Sequence, residues 1–318
     1  MKFLEDVRIE DYVVGIGSAN VDIYGKSLIG LKPKYDPPSK IMTSVGGVTR
    51  NVLCNLSSLN IHTKLITTLG EDIFGSMIIE DCLKNNIDVN NIVKIKNESS
   101  GVFIQILDSK NDMHMALCDM SVNKNITVEY LKSNGDILQK AKIIFFDPSL
   151  PIESIEYLIN LFGVKIYLDP ISDEYEKKII PYINKIFALN PNKTELEILS
   201  DIKINSEDDL NKACDKLIKI GIKKLYVTLG DKGALFYSKE KKIRKQFKPV
   251  EDMINASGAG DSFFATIMFG NINKLKEEES LELGMAAGIL AFKSKETVSP
   301  ELSIENLKRV VFEEKTKI

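Results

Sequence analysis

Short apolar runs alternate with amphipathic segments along most of the chain. Runs such as Tyr12–Gly17, Leu65–Gly70 and Lys185–Asn190 are short and dense, which suits strands that are buried on both faces. Segment 206–218 instead carries its apolar residues at i, i+3, i+4, i+7 and i+8, the spacing of one helix face. The alternation predicts an α/β fold with a parallel sheet.

One part of the chain breaks this alternation. Gly101–Leu107 and Met113–Cys118 are two strand-like runs joined by the turn-forming Asp108–Asp112, which predicts a β-hairpin. Together with Tyr24–Leu28, the hairpin is expected to form a small sheet outside the main layer. The sequence contains no repeats, low-complexity tracts or linkers, so residues 1–318 are predicted to form one domain with this insertion.

Composition is that of an ordinary globular protein and argues against several classes of function. The 318 residues are 44% hydrophobic and 27% charged, and a net charge of −3 argues against a large nucleic-acid footprint. The four cysteines form no CxxC pair, and two histidines are too few for a His-rich zinc site. With no membrane-length apolar stretch and no signal-peptide pattern, a cytoplasmic location is expected.

Candidate chemistry is concentrated in Asn255–Phe264, which reads NASGAGDSFF. Gly258-Ala-Gly260 is predicted to form the first turn of a buried helix, where unpartnered amides and the helix dipole attract an anion such as phosphate. Asp261 follows at once. A carboxylate there suits a base that accepts a proton from a hydroxyl attacking a phosphoryl group. Taken alone, these residues also fit a glycine-rich turn with a helix-capping aspartate.

Candidate ligand contacts also follow the first predicted strand. Gly15-Ile-Gly17 opens like a dinucleotide-binding fingerprint, but Asn20 replaces its third glycine and residues 21–24 alternate like a strand. These departures exclude a NAD-linked oxidoreductase. Asn20 and Asp22 instead lie where open α/β sheets bind ligands, and Asp22 is suited to accept hydrogen bonds from two sugar hydroxyls. An acid in a solvated loop is the alternative for Asp22.

A second predicted helix begins just after Gly46 and Gly47. Apolar residues at 52, 53, 56 and 59 follow helical spacing, and the glycine pair permits close approach of the backbone to a ligand. Arg50 and Asn51 fall in the first turn of this helix. A cation is unfavourable at the positive end of a helix, which indicates a task for Arg50 beyond helix stability.

Four segments match motifs that occur together in one family. Residues 255–261 resemble the C-terminal signature of the ribokinase-like (PfkB) sugar kinases, and residues 46–51 resemble the N-terminal one. Residues 228–233 (TLGDKG) and 192–195 (NKTE) are similar to the nucleotide loop and the NxxE motif of that family. The motifs occur in family order and span most of the chain.

The resemblance implies a ribokinase-like three-layer α/β fold. Helices flank a central, mainly parallel sheet, and a small β-sheet lid is expected from about residues 23–44 and 98–120. In this family the lid closes over the sugar and often forms a dimer contact. A homodimer that forms through the lid is therefore expected.

The resemblance also implies roles for individual residues. Asp261 matches the catalytic base, and Gly258, Ala259 and Gly260 match the anion hole. The expected substrate contacts are Asn20, Asp22, Gly46, Gly47, Arg50, Asn51 and Asp147.

ATP and Mg²⁺ are the cofactors that the resemblance implies. The expected nucleotide contacts are Asn192, Thr228, Gly230 and Gly233. Glu195 matches the acid of the NxxE motif, which organises magnesium and phosphates largely through water. Many relatives have Asp-Thr where this chain has Asn255-Ala256, and that aspartate helps to hold an activating monovalent cation. A potassium requirement is therefore left open.

Within the family the chain is most similar to the pseudouridine kinases, through residues 46–51, 113–120 and 294–303. The implied reaction is ATP-dependent phosphorylation of the 5′-hydroxyl of pseudouridine, which gives pseudouridine 5′-phosphate and ADP. The alternative is a kinase of the same family that acts on ribose or on another nucleoside such as adenosine, cytidine or inosine. A non-catalytic nucleoside-binding protein is a further alternative.

Overall fold

Two β-sheets organise the chain in the computed structural model, which describes residues 11–109, 113–171, 173–250, 253–254 and 257–316. The strands of the larger sheet are β1 (Tyr12–Ile16), β4 (His62–Gly70), β5 (Ile87–Asp88), β6 (Ile92–Ile95), β9 (Ile143–Phe146), β10 (Lys165–Leu168), β11 (Ala188–Leu189), β12 (Lys224–Thr228), β13 (Ala234–Tyr237) and β14 (Lys242–Lys245). The strands of the smaller sheet are β2 (Asn20–Ser27), β3 (Ser39–Gly46), β7 (Gly101–Leu107) and β8 (Met113–Asp119).

The helices connect the strands of the larger sheet or follow them. They are α1 (Val48–Ser58), α2 (Ile73–Lys84), α3 (Val128–Ser133), α4 (Gly135–Lys140), α5 (Ile152–Ile159), α6 (Asp173–Ile179), α7 (Lys193–Ser200), α8 (Glu207–Ile220), α9 (Ala259–Ile272), α10 (Glu277–Phe292) and α11 (Ile304–Thr316). Short 3-10 segments occur at Ser121–Asn125, Ile180–Lys185 and Gly230–Lys232. Within the described ranges, no helix has both the length and the apolar character to span a bilayer.

The larger sheet is mainly parallel, as predicted. Its strand order is β14-β13-β12-β11-β10-β9-β1-β4-β5, with β6 beside β4. Pairing is parallel among β1, β4 to β6 and β9 to β12. At one edge it is antiparallel, because β13 runs antiparallel to both β12 and β14. Strands in such a sheet end at a common edge, which is where open α/β folds place their ligand sites.

Both faces of the larger sheet are covered by helices. Successive residues of one strand point to opposite faces, so Val13 belongs to one hydrophobic cluster and Val14 to the other. This burial on both faces explains why the strand sequences are almost continuously apolar rather than alternating.

Helix α9 is fixed to the sheet by an aromatic contact one turn after Asp261. The ring of Phe264 lies 6.0 Å from that of Phe145 on β9, 5.8 Å from Tyr167 on β10 and 6.4 Å from Tyr226 on β12, measured between centroids. Each distance falls in the range of favourable aromatic packing. The start of α9 is therefore held at a defined position relative to three strands.

The smaller sheet has the strand order β3-β2-β7-β8. Strand β2 pairs antiparallel with β3 and parallel with β7, and β7 forms the predicted hairpin with β8. Asp22 on β2 lies opposite Ser44 on β3 and Phe103 on β7. Strand β2 is therefore an inner strand of the smaller sheet and also bears a candidate site residue.

Candidate active site

The carboxyl ends of four neighbouring strands carry polar residues. Asp147 follows β9, Asp169 follows β10, Asn190 follows β11 and Thr228 ends β12. Because these strands are adjacent and parallel, the four residues share one edge of the sheet. Asn190 Nδ2 also donates a hydrogen bond to Asp169 Oδ2 over 3.1 Å.

Asp169 and Asn190 were not among the predicted site residues. Burial is the largest influence on the Asp169 carboxyl and raises its pKa, while the hydrogen bond from Asn190 opposes that rise. The position of both residues in the sequence could have identified them as site candidates. Each is the first polar residue after a buried apolar run, which is also the position of Asp147.

Helix α9 begins at a glycine that the surrounding backbone requires. Gly258 is the N-cap with φ of 77°, and a Cβ atom there would lie 2.0 Å from the carbonyl oxygen of Thr297. Gly258 has no side chain that could cap this end of the helix, and the amide groups of its first turn have no intrahelical partner. Ala259 and Gly260 add little bulk over those amides. This backbone geometry is the one that anions bind.

Asp261 lies in the first turn of α9 and is 9% exposed. Burial raises the pKa of Asp261 to about 7, and the negative charges of Asp169, Asp22 and Asp147 also raise it, whereas a hydrogen bond from Asn51 opposes the rise. That hydrogen bond runs from Asn51 Nδ2 to Asp261 Oδ2 over 2.9 Å. A carboxyl group with a pKa near neutrality is well matched to proton transfer near neutral pH.

The start of α1 brings Asn51 to Asp261. Gly47 is the N-cap of α1, so Asn51 lies in its first turn, as predicted. A second contact joins the same two helices, because Ser262 Oγ donates to Asn55 Oδ1 over 3.0 Å. Residues of the N-terminal and C-terminal motifs, 210 positions apart in the chain, therefore meet in one site.

Arg50 is buried beside this contact and is 4% exposed. Its guanidinium forms an ion pair with Asp81 on α2 and donates from Nη1 to the carbonyl oxygen of Val45 over 3.3 Å. Nη1 also donates to Asn51 Oδ1 over 3.0 Å. The guanidinium is thus engaged by the protein itself, and a direct contact between Arg50 and substrate stays a prediction.

The predicted residues near the start of β2 also lie together. Asn20 Nδ2 donates to Asp22 Oδ1 over 2.6 Å, and the Tyr24 hydroxyl donates to Asp22 Oδ2 over 3.1 Å. Gly46 pairs with Asn20 across β2 and β3, and a Cβ atom on Gly46 would lie 2.1 Å from Asp22 Oδ2. The missing side chain therefore makes room for a carboxylate whose pKa burial raises.

Asp147 is fully buried, and its predicted contact with substrate stays a prediction. Its Oδ2 accepts hydrogen bonds from Ser18 N (2.6 Å), Ser18 Oγ (2.6 Å) and Thr49 Oγ1 (2.7 Å). Its Oδ1 accepts from Ser149 N (3.0 Å) and Ser149 Oγ. A carboxylate has about four lone-pair positions, so these donors saturate it. Asp147 therefore joins the loop after β1 to the start of α1.

The predicted nucleotide residues lie at the ends of β11 and β12. Asn192 and Thr228 form a parallel bridge, and Gly230 and Gly233 flank the turn that directly follows β12. Asn192 and Glu195 also cap α7 reciprocally: Glu195 N donates to Asn192 Oδ1 over 3.0 Å, and Asn192 N donates to Glu195 Oε2 over 2.7 Å. The NxxE motif thus has a structural function as a capping box.

Within the described ranges, no group of three or more His, Cys, Asp or Glu side chains could hold a metal ion. Mg²⁺ in nucleotide sites needs fewer protein ligands, because it keeps several waters and is held by one or two carboxylates together with the phosphates of the nucleotide. The partly buried carboxylate of Glu195 fits such a water-mediated role. Asn255 and Ala256, on which the potassium question depends, lie outside the described residues.

Comparison with known proteins tests the family resemblance. The family model described as pfkB family carbohydrate kinase matches residues 10–304. The chain belongs to this family. Its members are sugar and nucleoside kinases, so the chain is a phosphotransferase of that kind.

Individual relatives agree with this assignment over nearly the whole chain. The pseudouridine kinase of Escherichia coli (strain K12) is 30% identical over 95% of this chain and 96% of its own length. The guanosine-inosine kinase of Exiguobacterium acetylicum is 26% identical over 87% of this chain and 93% of its own. The structure of Arabidopsis thaliana ribokinase with ribose and ATP has a TM-score of 0.80 at 23% identity, covering 95% and 98% of the two chains. The predicted ribokinase-like fold is confirmed.

Proposed function

We propose that the protein transfers the γ-phosphoryl group of ATP to the 5′-hydroxyl of pseudouridine. The observation that carries the phosphoryl-transfer part is the hydrogen bond between Asn51 and Asp261 at the uncapped start of α9. It joins a candidate base to a candidate sugar contact beside an anion site. The substrate part is supported by the 30% identity to a pseudouridine kinase over 95% of the chain.

In this proposal Asp261 is the base. The substrate oxygen attacks the γ-phosphorus, its proton passes to the Asp261 carboxylate, and the bond from phosphorus to the leaving oxygen of ADP breaks. The amide groups at the start of α9 stabilise the negative charge on the transferred group. Asn51 occupies Oδ2 of the carboxylate, which leaves Oδ1 as the oxygen for the substrate proton.

The ends of β11 and β12 are the proposed nucleotide site. Thr228, Gly230 and Gly233 would line the nucleotide, and Asn192 and Glu195 would order its phosphates. Bound Mg²⁺ supplies charge neutralisation between the phosphates and a template for their geometry. The capping box fits this task because it holds the Glu195 carboxylate in one position at the start of α7.

The start of β2 is the proposed sugar site. Asn20, Asp22 and Asn51 supply hydrogen-bonding groups, and Gly46 and Gly47 let the backbone approach closely. Asn20 and Gly46 pair at the end of the smaller sheet that adjoins the sugar site. We therefore propose that this sheet acts as a lid that excludes water from the phosphoryl group. One kinase domain with this lid accounts for the whole chain.

A substrate panel tests the function. ATP consumption is measured with Mg²⁺ and with pseudouridine, uridine, cytidine, adenosine, inosine, guanosine, ribose or fructose 6-phosphate. Pseudouridine is expected to give the highest kcat/KM and a 5′-phosphate product. Hydrogen-bonding sites discriminate strongly between such analogues, so the preference over uridine should exceed about tenfold.

The outcomes of the panel separate the alternatives. A lead of tenfold or more for inosine or guanosine would favour a purine nucleoside kinase, in line with the 26% identity to a guanosine-inosine kinase. A higher kcat/KM for ribose than for any nucleoside would favour a kinase whose substrate is a sugar without a base. No phosphorylation of any compound would favour a binding protein and contradict the proposed chemistry.

We propose that two copies of the chain associate through the lid. Residues in register on neighbouring strands share a face, and Ile41, Met115 and Leu117 lie on the face opposite to Asp22. These three side chains are 51–65% exposed. Apolar residues clustered on one face of a small sheet are typical of an interaction surface, and a second copy offers the matching surface by symmetry.

Light scattering tests this assembly. The wild-type protein is expected to have the mass of a dimer at micromolar concentration, and Leu117→Lys should shift it to the monomer because a charge cannot be buried unpaired in such an interface. Phe162→Lys is the matched control, since Phe162 is 93% exposed but lies outside the lid. A monomeric wild type, or dimer loss in the control as well, would contradict association through the lid.

A further inference from the structure

Arg50 is an unusual residue to find at its position. Its charge is almost fully buried in the first turn of α1, where the helix dipole is also positive. Burial of a charge is costly unless it is paired and hydrogen-bonded. The ion pair with Asp81 compensates part of this cost, but a neutral side chain would have avoided it altogether.

The contact between Arg50 and Asn51 has a consequence for the orientation of the asparagine amide. A guanidinium carries donors and no acceptor, so only the amide oxygen of Asn51 can face Arg50 Nη1. The amide nitrogen must then point the other way, where it donates to Asp261 Oδ2 over 2.9 Å. A carboxylate is an acceptor, so the reversed amide would set two oxygens against each other.

We propose that Arg50, anchored by Asp81, is a positioning residue that fixes the orientation of the Asn51 amide and thereby the carboxylate of Asp261. In this role Arg50 acts through Asn51 and needs no contact of its own with substrate. This inference rests on the proposed function of Asp261 as the base. Neither the helix nor the hydrophobic core requires the buried ion pair of Arg50 and Asp81, and the proposal gives this ion pair a function.

The surroundings of Asp261 make the orientation of this amide important. Asp169 at the end of β10, Asp22 on β2 and Asp147 at the end of β9 all face Asp261 with negative charge. Asn51 is the hydrogen-bond donor that opposes their effect. Once the amide can reverse, Asp261 loses that donor and ionises at a higher pH.

Steady-state kinetics of Arg50→Lys and Arg50→Met test the proposal. Lysine keeps a charge beside Asp81 but lacks the planar fork that reaches two partners at once. Loss of a hydrogen bond to a charged group predicts a fall in kcat of about 10- to 100-fold in both variants. The acid limb of the pH profile of kcat/KM should move up by about one unit, while KM for ATP stays unchanged.

A double-mutant cycle separates positioning from mere support of the fold. In an Asn51→Ala background there is no amide to orient, so Arg50→Met should lower kcat by less than about twofold further. Asp81→Asn, at a side chain that is 31% exposed, provides a variant that is easier to fold and should show the same direction of change. Equal losses of kcat in both backgrounds would overturn the proposal.

Lys224→Met is the matched control. Lys224 also links an acid to an asparagine, because it pairs with Glu277 and donates to Asn271 Oδ1 over 2.6 Å. Asn271 lies on α9 as Asp261 does, but ten residues further along, which is about 15 Å along a helix axis. This variant should lose stability without a shift of the pH profile. A shift as large as that of Arg50→Met would overturn the proposal.

A readout without turnover separates this proposal from the proposed function. The ionisation of the Asp261 carboxyl is followed by ¹³C NMR in wild type and in Arg50→Lys. The variant should titrate about one unit higher. If wild type phosphorylates no compound of the panel but this shift occurs, the kinase assignment fails and the positioning contact stands. If the titration does not move, the positioning contact fails even in an active kinase.

Discussion

Asp261→Asn is expected to lower kcat by about 10²–10⁴-fold, the usual effect of losing a positioned base. Asparagine has nearly the shape of aspartate but cannot accept the proton of the attacking hydroxyl. ATP binding should be retained, because the amides at the start of α9 are unchanged. Stopped assays of phosphorylated product, with isothermal titration of the nucleotide, measure the two effects separately.

The same variant should be more stable than wild type above neutral pH. The folded-state pKa of Asp261 is raised from 3.8 to about 7, so the folded protein holds a proton that the unfolded chain releases between these values. Wild type therefore loses stability as pH rises through this window, by up to about 4 kcal/mol at 1.36 kcal/mol per unit. Asparagine does not titrate, so its advantage in urea unfolding should be small at pH 4 and greatest near pH 8.

Asp136→Asn is the control for this pair of measurements. Asp136 also lies in the first turn of a helix, α4, but it is exposed and away from the sheet edge. Its kcat and its unfolding free energy should both stay near the wild-type values. Turnover by Asp261→Asn within a few-fold of wild type would show that Asp261 is not the base.

Gly258→Ala is expected to lower kcat/KM by about 10²-fold, because a displacement of about 1 Å in a catalytic group can have that effect. The Cβ atom would lie 2.0 Å from a backbone oxygen of Thr297, and backbone cannot rotate away as a side chain can. The first turn of α9, with Asp261 and its amides, must therefore shift. Kinetics and thermal unfolding of the purified variant measure the effect.

Gly163→Ala separates this displacement from ordinary backbone strain. Gly163 has φ of 82°, close to the 77° of Gly258, but a Cβ atom there would meet no atom within 4 Å. Both variants incur the cost of a left-handed alanine, about 1–2 kcal/mol of stability. Only Gly258→Ala should also lose activity. Equal kinetics in the two variants would contradict the role given to the start of α9.

Local sequence patterns were sufficient to predict those strands and turns whose burial alone determines which residue types occur. Two strand-like runs joined by a turn-forming segment predicted the hairpin of β7 and β8, and dense apolar runs predicted the buried parallel strands. Strand β3 gave no such signal, because most of its side chains are exposed and polar or mixed in character. Its place in the smaller sheet follows from pairing with β2, which is a tertiary effect.

The site was only partly predictable because residue type does not reveal the partners of a side chain. Asp147 and Asp169 occupy equivalent positions after neighbouring strands, yet Asp147 is saturated by donors from Ser18, Thr49 and Ser149. Nothing in the local sequence distinguishes the two acids. The unusual position of Arg50 was visible in the sequence, but its partner Asp81 depends on how α2 packs against α1.

The contact between Asn51 and Asp261 joins residues that are separated by 210 positions. Such a contact closes a long loop, so we expect it to form slowly and late in folding. Synthesis proceeds from the N-terminus, so no nascent chain can assemble the site before α9 has left the ribosome. Enzymatic turnover would accordingly report that synthesis has proceeded through α9, and circular permutants opened within the 51–261 interval would test whether the order of synthesis matters.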